Sequence, residues 1–101
     1  MSLTLVVTRD ADEQIEEADL WWRENRPKAE NRVQEELSYA FALLLESPGI
    51  GSLYFDEDVP GLRRFRLRTT PYFLYYSVDE DRGEFVVVAL WSGMRGKGPP
   101  L

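Results

Sequence analysis

The spacing of apolar residues divides the first half of the chain into one strand and two helices. The run LTLVV at Leu3–Val7 is apolar and β-branched, which predicts a short strand. Apolar residues then recur every three or four positions on both sides of Pro27, as on one face of a helix. The two stripes are Ala11, Ile15, Ala18 and Trp22, and then Ala29, Val33, Leu37, Ala40, Phe41 and Leu44. So short a break between two helices predicts an antiparallel helical hairpin.

Apolar runs in the second half predict three further strands, at Leu62–Arg68, Tyr72–Val78 and Phe85–Trp91. Residues 48–61 are rich in Gly, Pro and acidic residues, so we expect a loop there with a brief extended piece at Ser52–Phe55. The chain is therefore predicted to be an α+β domain. It has an N-terminal strand, a two-helix antiparallel hairpin and a three-stranded antiparallel meander, in the order β-α-α-β-β-β.

The length of 101 residues suits a single domain that spans residues 1–101. Asp10, which is followed by Glu13 three residues later, is expected to cap the first helix. Residues 92–101 contain three Gly and two Pro. We expect a loose tail there unless the segment docks on the domain.

Composition narrows the chemistry that the chain can perform. It contains no Cys and no His, which excludes disulfides, thiolate zinc sites and a histidine general base. The acidic run Asp56-Glu57-Asp58 lacks the alternate spacing of a calcium loop, so we expect a solvated loop, no metal and no cofactor. The stretch MSLTLVVTRD does not look like a signal peptide, and no apolar run is long enough to span a membrane. These features favour a cytoplasmic protein.

Charge is distributed unevenly along the chain. Residues 1–60 contain five basic and fourteen acidic residues, whereas residues 61–101 contain seven basic and four acidic residues. Four arginines fall within GLRRFRLR, Gly61–Arg68, in a chain whose net charge is -6. The acidic total argues against nonspecific binding of nucleic acid, but a local basic patch still makes an anion site.

The alternation of side chains along a strand separates these arginines into two sets. Three are expected in a row on an open face: Arg64, Arg66 and Arg68. The helices are expected to cover Phe65 and Leu67, which share their face with Arg63. The row has two interpretations: pairing with internal acids or protection of an edge strand, or recognition of a negatively charged partner by guanidinium forks. In the second case Tyr72, Tyr75 and Tyr76 are candidates for stacking.

Five motifs, taken in order, resemble the RelE/ParE superfamily of type II toxins over nearly the whole chain. They are ADLWW (18–22), LLLESPGIG (43–51), GLRRFRL (61–67), PYFLYYSVD (71–79) and VALWSGMRGKGP (88–99). The resemblance implies the same α+β fold and an intracellular toxin. It also implies a hetero-oligomer with a cognate antitoxin, whose acidic C-terminal segment wraps the toxin.

Members of the superfamily differ in their target: RelE-type toxins cut mRNA in the ribosome, and ParE-type toxins poison DNA gyrase. Here no Tyr follows Tyr76, although RelE-type enzymes keep an acid–base Tyr near the C-terminus. Ser92 stands where many members have His, and the acidic chain is poorly suited to ribosomal RNA. These departures favour a ParE-like toxin that binds and inhibits gyrase.

Two alternatives remain open at this point, a RelE-like ribosome-dependent mRNA endonuclease and a non-toxic antitoxin-binding module. In the endonuclease, Arg64, Arg66 and Arg95 are the candidates for stabilising charge on the phosphate. Arg95 matches the superfamily's closing arginine, and Arg63 and Arg64 match its paired arginines. The residues expected to bind the target or the antitoxin are Arg63, Arg64, Arg66, Arg68, Tyr76, Trp91, Arg95 and Lys97.

Overall fold

The computed structural model describes residues 2–101, which form the α+β arrangement predicted from the sequence. The helices are α1 (Arg9–Asn25) and α2 (Arg32–Glu46), and a 3₁₀ turn at Pro27–Ala29 lies between them. The strands are β1 (Thr4–Val7), β2 (Ser52–Leu53), β3 (Arg63–Arg66), β4 (Tyr72–Asp79) and β5 (Glu84–Ser92). Within this range no helix has the length and apolar character needed to cross a membrane.

The sheet has five strands in the order β1-β5-β4-β3-β2. β1 pairs with β5 in parallel, and the other neighbours are antiparallel. The extended piece expected near Ser52 is thus a two-residue edge strand, which adds a strand to the predicted meander. The sheet is mixed because the helical hairpin returns the chain to the end of the sheet where β1 finishes. β2 starts from that end, and the reversals from β2 to β5 leave β5 parallel to β1.

The cap of α1 differs from the prediction. Thr8, and not Asp10, is the N-cap residue: its backbone is extended, and its side-chain oxygen accepts a hydrogen bond of 3.2 Å from the N–H of Ala11. Asp10 lies inside the first turn, where a carboxylate still interacts favourably with the helix dipole. The helix begins earlier than predicted because Thr8 directly follows β1 and supplies the hydroxyl at the right spacing.

One face of the sheet packs against the helices and forms the main core. Both predicted apolar stripes contribute, and the sheet contributes the side chains that lie opposite one another on β4 and β5. The buried members are Ala11, Ala18, Val33, Leu37, Ala40, Leu44, Leu67, Leu74, Tyr76, Phe85, Val87 and Leu90. The other face carries a smaller cluster around Leu62, Tyr75 and Ala89, which the 54–62 segment partly covers. We call this second side the open face.

A β-bulge in β5 decides which residues reach the open face. Tyr75 lies opposite Ala89 and Tyr76 lies opposite Val87, so Val88 is the extra residue. If Val88 were paired regularly instead of forming a bulge, strict alternation would put Trp91 on the same side as Val87, beneath the helices. The bulge reverses the alternation, as bulges do. Trp91 therefore lies on the open face, opposite Phe73.

Glu36 on α2 holds the turn between β3 and β4. Its side chain is 5% exposed, and its carboxylate accepts hydrogen bonds from the backbone N–H and the hydroxyl of both Thr69 and Thr70, at 2.5–3.1 Å. Burial alone raises the pKa of Glu36, but these four bonds outweigh it and lower the pKa below its ordinary value of 4.5. The turn is therefore tied to the helical layer through a charged group.

Candidate binding surface on the open face

A concave cleft of about 600 Å³ lies on the open face. We call it the open-face cleft. Its floor comes from β3, β4 and β5, and its far wall comes from the segment after β5. The side chains used below are Tyr54, Arg64, Arg66, Phe73, Trp91 and Lys97. Among residues 2–101, none of the side chains that line this cleft is acidic.

Aromatic rings support the two arginines on the cleft floor. The Arg64 guanidinium carbon lies 4.4 Å from the ring centre of Phe73 and 5.1 Å from that of Tyr54. The corresponding carbon of Arg66 lies 5.9 Å from the Phe73 ring centre. Cations at such distances are attracted to the ring faces, and this attraction partly offsets the repulsion between neighbouring charges. The arginines of the cleft are therefore held in place without using their hydrogen-bond donors.

The donors of these guanidiniums have no acceptor within the described part of the chain. Neither Arg64 nor Arg66 donates a side-chain hydrogen bond between residues 2 and 101, and the ion pairs found there both lie on α1. These pairs are Arg9–Glu13 and Arg23–Asp19. The arrangement goes against pairing of the arginine row with internal acids. It leaves guanidinium forks that face solvent and match carboxylate or phosphate oxygens.

The C-terminal segment docks on the open face instead of extending from it. The indole N–H of Trp91 donates a 2.9 Å hydrogen bond to the carbonyl of Lys97, and the N–H of Gly93 donates a 2.8 Å bond to the carbonyl of Pro71. Gly98 packs so closely on Tyr54 that a Cβ atom there would lie 2.5 Å from the tyrosine hydroxyl. Residues 92–101 were expected to be loose unless they dock on the domain, and these contacts show that they dock.

The docked segment brings Lys97 to the cleft and places Arg95 at a neighbouring cavity, which Glu17 and Trp21 of α1 also line. The Arg95 guanidinium carbon lies 4.2 Å from the ring centre of Trp91, and Lys97 lines the cleft itself. Both side chains are exposed. Of the eight predicted binding residues, the structure gathers four in the open-face cleft: Arg64, Arg66, Trp91 and Lys97. Arg95 contacts the Trp91 ring but lines the neighbouring cavity.

The guanidinium of Arg63 makes its hydrogen bonds within the protein. Its side chain lies on the helix-covered face, as predicted, and donates hydrogen bonds to the carbonyls of Gly51 and Gly49, at 2.7 and 3.4 Å. It joins β3 to the segment that follows α2. These bonds account for Arg63 without any external partner.

Tyr76 was predicted to contact a partner, and the structure buries it completely. Its ring stacks on Phe85 with a centroid distance of 4.6 Å, and its hydroxyl donates to the carbonyl of Pro48 and accepts from the N–H of Gly51. Burial raises the pKa of Tyr76 more than the Gly51 hydrogen bond and the charge of Arg63 lower it. Tyr76 is therefore a core residue that ties β4 to the end of the helical layer.

Arg68 does not continue the row of Arg64 and Arg66. β3 ends at Arg66, and Arg68 lies in the bend that Glu36 ties to α2. Its guanidinium carbon is 4.7 Å from the ring centre of Tyr39, on the second helix. The predicted row of three is thus a row of two, because the alternation rule stops applying where the strand ends.

Sequence reasoning missed Tyr54 and Phe73, the two rings that support the arginines. Phe73 could have been found by alternation, because a residue opposite Arg66 on the neighbouring strand shares its face. Tyr54 lies in the brief extended piece expected at Ser52–Phe55, and it reaches the cleft through the pairing of β2 with β3. Nothing local in the sequence marks that pairing.

Comparison with known proteins identifies relatives of this fold. A family model described as the ParE toxin of a type II toxin–antitoxin system, parDE, matches residues 5–96. The chromosomal ParDE system of P. aeruginosa aligns with a TM-score of 0.71 and 17% identity, over 90% of this chain and 96% of that one. The intact RelBE complex of E. coli aligns with a TM-score of 0.66 and 23% identity, over 93% and 100%. No curated relative matches the chain.

The RelBE2 complex of Mycobacterium tuberculosis also aligns, with a TM-score of 0.62 and 18% identity, over 91% of this chain and 99% of that one. These likenesses confirm the predicted RelE/ParE-like α+β fold.

Proposed function

Because the chain belongs to the ParE toxin family of type II toxin–antitoxin systems, we propose that it inhibits DNA gyrase by binding and that a cognate antitoxin neutralises it. The proposal places the protein in the cytoplasm, in a hetero-oligomer with that antitoxin until the toxin is released. The open-face cleft is the surface assigned to binding.

The observation that carries this proposal is the set of unused guanidinium donors in the open-face cleft. Arg64 and Arg66 lie on aromatic rings, donate no hydrogen bond within residues 2–101, and belong to a cleft with no acidic lining residue. Such a surface suits tight recognition of carboxylates on a protein partner. The chain also lacks His, the residue that most often performs acid–base chemistry. Both features support binding rather than cleavage.

A supercoiling assay tests the proposal. We expect the purified protein in molar excess to block supercoiling by gyrase, and we expect Arg64→Ala and Arg66→Ala to weaken the inhibition. Arg9→Ala is the matched control, because this arginine is 90% exposed on α1 and pairs only with Glu13. Full gyrase activity at every protein concentration would contradict the proposal. Cuts in ribosome-bound mRNA, read by toeprinting, would point to the RelE-like activity instead.

A further inference from the structure

A small cavity opens beside Arg95, between α1, the ends of β4 and β5, and the docked C-terminal segment. We call it the α1 cavity. It encloses about 130 Å³, which equals about four molecules of liquid water at roughly 30 Å³ each. The space therefore suits a small organic molecule and is too small for a peptide or a nucleotide. The lining residues used below are Gln14, Glu17, Trp21, Tyr72, Trp91 and Arg95.

The α1 cavity carries one charge of each sign. The carboxylate of Glu17 and the guanidinium of Arg95 line it, and among residues 2–101 no other acidic or basic side chain does. The ion pairs found in this range both lie within α1 and include neither of these two groups. Two opposite charges thus border the same small space without neutralising each other.

The ring of Tyr72 lies within the influence of both charges. Burial raises the pKa of Tyr72, the positive charge of Arg95 lowers it, and the negative charge of Glu17 raises it further. A ligand that packs on this ring is therefore within reach of both charged groups.

Two contacts fix the hydrogen-bond donors of the α1 cavity. The side-chain oxygen of Gln14 accepts a 2.9 Å hydrogen bond from the N–H of Leu90, beyond the end of β1. The Arg95 guanidinium carbon lies 4.2 Å from the ring centre of Trp91. Neither the Gln14 amide nor the Arg95 guanidinium donates a side-chain hydrogen bond within residues 2–101. Their donors are therefore held in place and remain available to an acceptor on a ligand.

The paired charges disfavour a ligand of a single sign. A cation is attracted by Glu17 and repelled by Arg95, whereas an anion meets the reverse. A molecule that carries both charges is attracted by each group. The rings of Trp21 and Tyr72 supply the apolar wall that a small-molecule site requires.

We infer that the α1 cavity binds a small zwitterion of the α-amino acid class. The ligand carboxylate accepts hydrogen bonds from the Arg95 guanidinium, the ligand ammonium donates to Glu17, and a short apolar side chain packs on the rings. This site is separate from the surface proposed for macromolecular partners, because Arg64 and Arg66 do not line it. The inference goes beyond the proposed function and does not depend on it.

An NMR titration of the full chain with L-alanine tests the inference. Trp21 and Trp91 line the cavity, so we expect both indole N–H signals to shift together. The Kd should be about 1 mM, because so small a ligand buries few atoms. Propionate lacks the ammonium of alanine, and ethylamine lacks its carboxylate. Each should bind at least about tenfold more weakly, because it loses one charge-assisted interaction.

Substitutions at the two charges should separate their contributions. Glu17→Gln should weaken alanine about tenfold and leave propionate no weaker. Arg95→Gln should weaken alanine and propionate alike and leave ethylamine no weaker. Glu16→Gln and Arg82→Gln are the matched controls, because these exposed residues lie outside the cavity and their substitution changes the net charge by the same amount.

Three results would overturn the inference. The first is alanine that binds no more tightly than propionate and ethylamine. The second is full affinity for alanine in the Arg95→Gln variant. The third is a pair of indole signals that stay fixed throughout the titration, which would mean that Glu17 and Arg95 only solvate the surface.

Discussion

Arg63 and Arg64 are neighbours on β3, yet their guanidiniums have opposite environments. The side chain of Arg63 lies on the helix-covered face and donates hydrogen bonds to the carbonyls of Gly51 and Gly49. The side chain of Arg64 lies on the open face, over Phe73, and its donors have no acceptor within residues 2–101. On the helix-covered face, Arg63 joins β3 to the segment after α2. On the open face, the Arg64 guanidinium is available to bind a partner.

The same contrast extends to the tyrosines. Tyr76 is buried on the helix-covered face, and its hydroxyl makes two hydrogen bonds to backbone groups. Tyr54, on the open face, forms a wall of the cleft and meets Tyr75 edge to face at 5.1 Å. The comparison teaches that substitutions on the helix-covered face should change stability, and substitutions on the open face should change binding.

Tyr76 should give the largest effect on stability. Tyr76→Ala removes a stacked core ring and should lower the free energy of unfolding by about 3–5 kcal/mol in a denaturant titration. Tyr76→Phe keeps the ring but leaves the Gly51 N–H and the Pro48 carbonyl without their partner, and should cost about 1–3 kcal/mol. Tyr39→Ala, at a half-exposed tyrosine on α2, serves as the control. A Tyr76→Phe variant as stable as the parent would show that the hydroxyl does not hold the two elements together.

Glu36 should give the next largest effect and a dependence on pH. Its pKa is lower in the folded chain than the ordinary 4.5, so its contribution to stability is present above that value and is lost as pH falls through the folded pKa. Glu36→Gln should cost about 1–3 kcal/mol near neutral pH. The variant should also lose less stability on acidification than the parent does. Glu35→Gln, an exposed neighbour on the same helix, is the control. Parallel acid profiles for parent and Glu36→Gln would refute the assignment.

Arg63 and Arg66, which lie on opposite faces of β3, test the contrast between the two faces directly. Arg63→Ala should lower the free energy of unfolding by about 1–2 kcal/mol, because it removes hydrogen bonds from a charged donor. Arg66→Ala, at an exposed side chain, should change it by less than about 0.5 kcal/mol. Affinity for an acidic peptide should respond in the reverse order. If Arg63→Ala weakened that affinity without changing stability, the division between the two faces would be wrong.

Among the residues whose hydrogen bonds hold elements together, Trp91 should give the smallest effect. Trp91→Phe keeps an aromatic ring for Arg95 but loses the hydrogen bond to the Lys97 carbonyl, and should cost about 0.5–1.5 kcal/mol. The amides of residues 95–98 should then exchange their hydrogens faster, because the docked segment opens locally. Trp21→Phe, at a half-exposed indole on α1, is the comparison. Unchanged exchange would mean that other contacts suffice to hold the segment.

Local pattern was enough to predict the elements, their order and the faces of β3 up to Arg66. Phe65 and Leu67 do lie against the helices, as alternation required. The prediction failed where a distant residue decides the outcome. Arg68 turns away because Glu36, more than thirty positions earlier, binds the backbone of Thr69 and Thr70. No property of Arg68 or its neighbours reveals that bond.

Tyr76 shows a second limit of sequence reasoning. A tyrosine on a central strand has the same local pattern whether its hydroxyl reaches solvent or a buried carbonyl. Its burial depends on Pro48 and Gly51. Gly51 is required there, because a Cβ atom would collide with the Tyr76 hydroxyl. Tyr54 is the converse case, since it joins the cleft through a strand only two residues long.

The extra residue at Val88 shifts the alternation of side chains by one position between the two halves of β5. Before it, odd-numbered residues such as Phe85 and Val87 belong to the core, and after it the even-numbered Leu90 does. Loss of this one residue would remove the bulge and leave the faces unchanged, because alternation from Val87 would then place Ala89 and Trp91 on the open face and Leu90 in the core. Deletion of Val88 should therefore preserve both the core and the ring that contacts Arg95, whereas regular pairing of the full-length strand, with no bulge, would turn Leu90 outward and Trp91 inward and damage both at once.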